Sequence, residues 1–259
     1  MSNRITEQPF CQTRVSGSTF VNADCFDVFP FIEDKSIDAI ICDLPYGTTA
    51  CKWDSVLPFD KLWEQYERII KPNGAIVLFG QEPFSSLLRV SNLKIFRYDW
   101  IWVKERITNI MQVKKRAGKN IENISVFYNK QPTYNPQMTK YDGIKRTNKV
   151  KNGKLGILSD SSNKSVNEYS DTGWRYPTQI LAFKRDILTS NLHPTQKPVE
   201  LMEYLIKTYT NEGDMVLDNT MGSGTTNLAC IKLNRKSIGI EKEKQYYDVA
   251  VRRASEYCH

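Results

Sequence analysis

The chain has 259 residues, 40% of them hydrophobic and 25% charged, so it is neither disordered nor collagen-like and can bury a substantial core without disulfides. Its net charge is +7, yet residues 97–164 alone hold 15 Lys and Arg against 5 Asp and Glu, which leaves the remainder at −3. A polyanion docking on one part of the molecule and a solvated lysine-rich loop both fit that asymmetry.

The first third of the chain alternates strand and helix signals. Ser36–Cys42 is a short apolar, β-branched run of the kind buried on both faces of a parallel sheet. Residues 59–70 carry Leu62, Trp63, Tyr66, Ile69 and Ile70 at helical spacing, and Lys71-Pro72-Asn73-Gly74 is expected to stop that helix. Residues 75–79, 96–103 and 124–128 read as further strands. From about Gln131 to Asn191 the apolar periodicity fades into Lys, Asn, Ser, Thr and Gly, broken by Pro132, Pro136 and Pro177, as in an inserted polar module or a linker. Regular structure then returns. A helix is expected over 198–209, a strand over 215–218, a helix over 225–233, a strand over 237–240 and a last helix over 242–256. Strand, helix, strand in this order implies βαβ crossovers and a doubly wound, mostly parallel α/β sheet interrupted by a polar insert.

No apolar run reaches the roughly 18 residues of a membrane span, and the first ten residues lack the apolar core of a secretory leader. The expected setting is therefore cytoplasmic, with no membrane partner. Cys11, Cys25, Cys42, Cys51, Cys230 and Cys258 are read as reduced thiols. There is no CxxC pair, and the only histidines are His193 and His259, so no metal site is expected.

Two constellations carry chemistry. Asp218-Asn219-Thr220-Met221-Gly222-Ser223-Gly224-Thr225-Thr226 joins a strand to a helix, and Glu241 ends the next strand 23 positions after Asp218. Glycines there let the backbone turn tightly and a ligand approach, the helix start offers free N–H groups, and an acid at the second strand end can accept from both ribose hydroxyls. Asn227 stands where the third glycine of GxGxxG would be, which counts against a dinucleotide. A plain strand-to-helix turn with a surface Glu is the other reading. Asp43-Leu44-Pro45-Tyr46 follows a buried strand, at the sheet edge where ligands bind in open α/β folds. Its carboxylate, backbone carbonyl and aromatic ring suit a planar amino-bearing heterocycle, although a simple strand-ending turn would look similar.

Taken together, the chain resembles the S-adenosylmethionine-dependent amino-group DNA methyltransferases, the adenine-N6 and cytosine-N4 enzymes. Asp43–Tyr46 resembles their catalytic tetrapeptide, and His193-Pro194-Thr195-Gln196-Lys197-Pro198-Val199-Glu200-Leu201 their helix-leading cofactor motif. Leu217–Thr226 with Gly239-Ile240-Glu241 resembles their cofactor loop and its acidic partner. Catalytic motif, insert, then cofactor motifs is the order of the β group. The resemblance implies a Rossmann-like methyltransferase fold with a seven-stranded sheet. It also implies a catalytic half over 1–130, a target-recognition region over 131–191 and a cofactor-binding half over 192–259.

The roles it implies are specific. Asp43, Leu44, Pro45 and Tyr46 would hold a flipped-out base. Asp24 would accept from the cofactor adenine, and Cys25, His193, Thr195, Lys197, Asp218, Asn219, Met221, Gly222, Ser223, Gly224, Thr225 and Glu241 complete the S-adenosylmethionine set. Two departures stand out. Leu44 replaces the usual Pro, and Asn219-Thr220 the usual Pro-Phe. Adenine is favoured over cytosine because Asp43 stands where cytosine enzymes more often carry Ser. Double-stranded DNA is the expected partner, contacted by Lys114, Lys115, Arg116 and Lys119 on a flexible loop and by Tyr134, Trp174 and Arg175 in the insert. Cys42 and Cys51 are read as packing residues. A homodimer and a restriction endonuclease partner are both compatible with the sequence. A non-catalytic DNA-binding subunit and a nicotinamide-dependent oxidoreductase are the alternatives of other classes.

Overall fold

The computed structural model describes residues 9–48, 54–141, 143, 172–184 and 196–258. β1 (Cys11–Val15) and β2 (Ser18–Asn22) form a hairpin that turns at Ser16 and Gly17, both at positive φ. α1 (Cys25–Val28) is a single turn capped by Asp24. β3 (Ile37–Cys42), α2 (Phe59–Ile69), β4 (Ile70–Gly80), α3 (Phe84–Ser91), β5 (Phe96–Val103) and β6 (Ile121–Phe127) follow. After the short strands β7 (Thr139–Lys140), β8 (Trp174–Arg175) and β9 (Ile180–Ala182) come α4 (Val199–Tyr209), β10 (Met215–Asp218), α5 (Thr225–Lys232), β11 (Lys236–Glu241) and α6 (Lys244–Cys258).

The chain divides into two compact units, residues 1–135 with 179–259, and residues 136–178. The larger is a single sheet in the order β1-β2-β11-β10-β3-β4-β6-β5-β9. The pairs β1–β2, β4–β6 and β6–β5 are antiparallel and the other pairs parallel. The sheet therefore has nine strands, not the seven expected. The two additions are the edges: β1 has three polar residues, Gln12, Thr13 and Arg14, in a row and none buried, and β9 is three residues inside a polar stretch. Side chains alternate across β3 and β4. Ile40, Ile76 and Leu78 pack toward α2 and α3, while Ala39, Ile41, Val77 and Phe79 pack toward α4 and α5. Phe20, Met221 and Ile231 form a third cluster with Tyr247, Ala250 and Ala254 of α6.

Lys71–Gly74 ends α2, as its sequence leads one to expect, but the chain passes from it straight into β4 with no intervening loop. The register moves from Ile37↔Ile70 to Ala39↔Ala75, so four residues of β4 bulge opposite Asp38. A bulge tolerates Pro72, which has no N–H to donate. A Cβ on Gly74 would lie 2.8 Å from the Asp38 carbonyl oxygen.

In the smaller unit, β7 and β8 pair antiparallel, and the Arg175 guanidinium sits 4.3 Å from the Tyr141 ring centroid. Tyr134 and Asn135, just before it, belong with α4: Tyr134 packs on Tyr209, and the Asn135 N–H donates to the Thr208 carbonyl at 2.8 Å. Among the described residues no helix is long and apolar enough to cross a membrane.

Candidate active site

The parallel strands β2, β11, β10, β3 and β4 all end at one edge of the sheet. β6 runs against them, so its first residues reach the same edge, and β5 ends there too. A cavity of about 1130 Å³ opens along this edge.

The Asp43–Tyr46 turn leaves the end of β3 at the cavity floor. Leu44 points into the core and is 3% exposed, so the residue that departs from the usual Pro is anchored by packing instead of ring rigidity. The turn is held from both sides. The Thr220 hydroxyl donates to the Asp43 main-chain carbonyl at 3.0 Å. Asp54, which no sequence motif marks, accepts from the Gly47 and Thr48 N–H groups at 2.8 and 2.9 Å.

The Asp43 carboxylate belongs to a buried cluster of four charges. Lys197 Nζ lies 2.5 Å from Asp43 Oδ2 and 2.9 Å from Glu122 Oε1, and Lys104 Nζ lies 2.5 Å from Glu122 Oε2. The Tyr46 hydroxyl is 2.6 Å from Asp43 Oδ1 and 2.8 Å from Glu122 Oε1. Burial raises the Asp43 carboxyl above its ordinary value, with Lys197 opposing. Glu122 is the more deeply buried of the two, but Lys197 and Lys104 outweigh burial and hold it at about 2. Lys197, read from sequence as a cofactor residue, therefore reaches the Asp43–Tyr46 turn. Sequence reasoning missed Glu122 and gave the Lys104 side chain no part in the site. Lys104 falls within the basic excess, yet its charge is engaged inside the protein.

The cofactor loop leaves β10. Asp218 Oδ2 accepts from the Thr226 hydroxyl at 2.5 Å and Oδ1 from the Thr220 N–H at 3.1 Å, and burial raises its carboxyl to about 7. Gly222 and Gly224 both take positive φ. Glu241 accepts from the Gly222 N–H through Oε2 and from the Glu243 N–H through Oε1, so it is tied to the loop it faces. Asn227 occupies the place of a third glycine because the close approach has moved across to β11. A Cβ on Gly239 would lie 2.4 Å from both Asn227 Oδ1 and Met221 Sδ. Asn219 turns under the sheet edge, where Oδ1 accepts from the Tyr66 hydroxyl at 2.5 Å and the Cys42 thiol at 3.0 Å. Ser223 and Thr225 face Arg253 of α6, whose Nη1 donates to the Ser223 carbonyl at 2.6 Å and hydroxyl at 3.0 Å. Asp24 caps α1 through Oδ1 and pairs with Lys242 through Oδ2. Cys25 is buried, and burial pushes its thiol up to about 12.

Asp24, Cys25, Asp43, Lys197, Asp218, Asn219, Met221, Gly222, Ser223, Thr225 and Glu241 all line the one cavity. Its described lining holds eight carboxylates against four lysines. That surplus fits a ligand bearing a sulfonium and an ammonium group. His193, Thr195 and Cys51 lie outside the described residues. No group of three or more His, Cys, Asp or Glu among the described residues could hold a metal.

Lys114, Lys115, Arg116 and Lys119 sit on the β5–β6 loop, whose residue Thr108 lines the cavity. The loop, expected to be flexible, is hydrogen-bonded to itself: Asn109 accepts from the Lys119 N–H at 2.6 Å, and Gln112 from the N–H groups of Lys115 and Arg116. At its tip Met111 is 92% exposed beside Ile110.

A DNA methylase family model matches residues 37–252. Type II methyltransferase M.HpaI of Haemophilus parainfluenzae is 30% identical over 234 residues, spanning 86% of this chain and 69% of its own. M1.MboII of Moraxella bovis is 28% identical over 247 residues, spanning 88% and 92%. The structure of an M1.HpyAVI–SAM complex superposes with a TM-score of 0.61 at 26% identity, over 91% of this chain and 99% of that one. The cytosine-N4-specific PvuII DNA methyltransferase, at 16% identity and a TM-score of 0.66 over 93% and 87%, shares the fold. By the family model and these likenesses, the chain belongs to the N6/N4 DNA methylase family, which transfers methyl groups from S-adenosylmethionine to amino groups of DNA bases.

Proposed function

We propose that the protein methylates the exocyclic 6-amino group of adenine in a base flipped out of duplex DNA. The observation that carries this reading is a carboxylate, Asp43, at the floor of the cavity that Asp218 and Glu241 also line. An amino group inside a duplex is out of reach of any such floor, so the base must leave the stack. Bound S-adenosylmethionine supplies an electrophilic methyl group. The protein supplies position. Asp43 and the Leu44 carbonyl accept the two amine hydrogens and bring the nitrogen lone pair out of the ring plane. Transfer leaves an extra proton on the nitrogen, and Asp43, its carboxyl raised by burial, is placed to take it. Asp218 and Glu241 face the cofactor's charged and ribose groups. M.HpaI and M1.MboII are type II methyltransferases, which supports duplex DNA and a restriction–modification setting.

Lys114, Lys115, Arg116 and Lys119 make up the phosphate-contacting surface in this reading, and residues 136–178, with Trp174 and Arg175, read the target. Cytosine-N4 transfer is the second reading, supported by the fold shared with the PvuII enzyme. Mass spectrometry of nucleosides from DNA methylated by the pure protein decides between them. N6-methyladenine is expected, and N4-methylcytosine as the sole product would overturn the choice of base.

A further inference from the structure

We infer that Glu122 is a positioning residue for methyl transfer: by sharing Lys197 and Tyr46 with Asp43, it leaves Asp43 free to accept from the amino group. The inference rests on Asp43 being the amine acceptor.

Glu122 is 2% exposed and lies at the start of β6, next to a turn 79 residues away in sequence. Desolvating two carboxylates and two ammonium groups costs as much as their pairing returns, so stability alone gives no reason for such a cluster beside a catalytic turn. Tyr46 and Lys197 are each shared between the two carboxylates. Tyr46 has one hydroxyl hydrogen and two carboxylate oxygens within 2.8 Å. Lys197 spans both carboxylates, at 2.5 and 2.9 Å. Without Glu122, both donors would turn wholly to Asp43 and fill the lone pairs an amine needs. With it, they are divided, and Lys104 balances the second anion at 2.5 Å. Asp218, on the neighbouring strand, is the other acid that feels the charge of Asp43.

The signs follow from this arrangement. Glu122→Gln removes a negative neighbour and releases Lys197 to Asp43, so Asp43 ionises more easily while its lone pairs are occupied. Turnover should fall about tenfold or more, as when an interaction made only in the transition state is removed, with the cofactor Kd within about threefold. The acid limb of the kcat–pH profile should move down by about half a pH unit or more. Lys104→Gln acts oppositely: Glu122 then pulls harder on Lys197, and the limb should move up. Glu122→Asp keeps the charge and should hold the limb near its original place. The measurements are steady-state methyl transfer to DNA across pH and calorimetric titration with S-adenosylmethionine, on the full chain. A limb that stays put in both Glu122→Gln and Lys104→Gln overturns the inference, as does a loss of cofactor affinity parallel to the loss of turnover. If Glu122→Gln does not fold, Lys104→Gln and Glu122→Asp decide it by the same limb. Asp43→Asn separates the two levels. Near-normal methylation by that variant sinks the reading of Asp43 itself. An inactive Asp43→Asn with unmoved limbs in the other variants sinks only the role of Glu122.

Discussion

In the proposed reaction Asp43 meets the reacting nitrogen, while Asp218 and Glu241 face the cofactor, so single substitutions should separate transfer from binding. Asp43→Ala is expected to abolish methyl incorporation and leave S-adenosylmethionine affinity within a few fold, because the missing acceptor acts mainly in the transition state. Glu241→Ala should do the reverse. It removes an acceptor for cofactor hydroxyls and frees the Gly222 N–H, each hydrogen bond contributing about 0.5–1.5 kcal/mol. Calorimetric titration of both variants checks the pair. Asp218 adds a pH dependence. Its folded carboxyl stands at about 7 against an ordinary 3.8, so the folded protein holds a proton that the unfolded chain releases. That contribution to stability is complete below about pH 4 and is lost as the pH rises through 7. It amounts to at most about 4 kcal/mol across that range. Urea midpoints should fall from pH 5 to pH 8, and Asp218→Asn should flatten that fall.

At the scale of elements, the Asp218–Thr226 loop depends on one strand position outside it. A methyl group on Gly239 would collide with Asn227 and Met221, so Gly239→Ala should destabilise the protein by about 1–3 kcal/mol, read by denaturant unfolding. The β5–β6 loop is proposed to play a different part, toward DNA. Neutralising Lys114, Lys115 and Arg116 together should flatten the salt dependence of DNA binding by about 0.9 log unit for each phosphate that no longer meets a cation, and weaken binding to all sequences alike. An unchanged slope would move the phosphate-contacting surface elsewhere.

The difference between what the sequence revealed and what it concealed also lies at this scale. Asp43–Tyr46 and Asp218–Thr226 were legible because each is a local run joining one strand to the next element. Inner strands such as β3 and β10 were legible because they are short apolar runs, whereas β2, Ser18–Asn22, was missed because Ser18, Thr19 and Asn22 leave it only two apolar residues. Glu122, Lys104, Asp54 and Arg253 were not. Glu122 meets Asp43 only because β6 runs antiparallel beside β4, with Gly80 opposite Asn123, and no sequence spacing encodes that pairing. A faint signal existed: Glu122 is an acid at the head of a buried strand in a stretch otherwise dominated by Lys and Arg. β1 and β9 were hidden because edge strands need little apolar surface.

For the whole molecule, residues 136–178 form a compact unit of their own, and the proposed function gives that unit the choice of target. Trp174 and Tyr176 are 51% and 73% exposed, and Arg175 stacks on Tyr141 within the small unit. Trp174→Ala and Arg175→Ala should therefore change which sites are methylated while sparing cofactor affinity, as read by modified-base mapping of DNA from cells expressing each variant. An unchanged site pattern in both would place target reading elsewhere.

β10 and β11 fill the sheet between β2 and β3, yet they are synthesised after all the sheet's other strands. At about 5–20 residues per second, roughly 9–35 s separate the synthesis of Cys42 from that of Met215. During that interval the β1–β2 hairpin has no neighbour, and β3 offers the ribosome's surroundings an apolar, unpaired flank. The nascent polypeptide is thus held open at its centre, not at its tip, and the closing step is an insertion. Chains stalled before residue 215 should recruit chaperones and yield to protease, and chains extended beyond residue 241 should resist it.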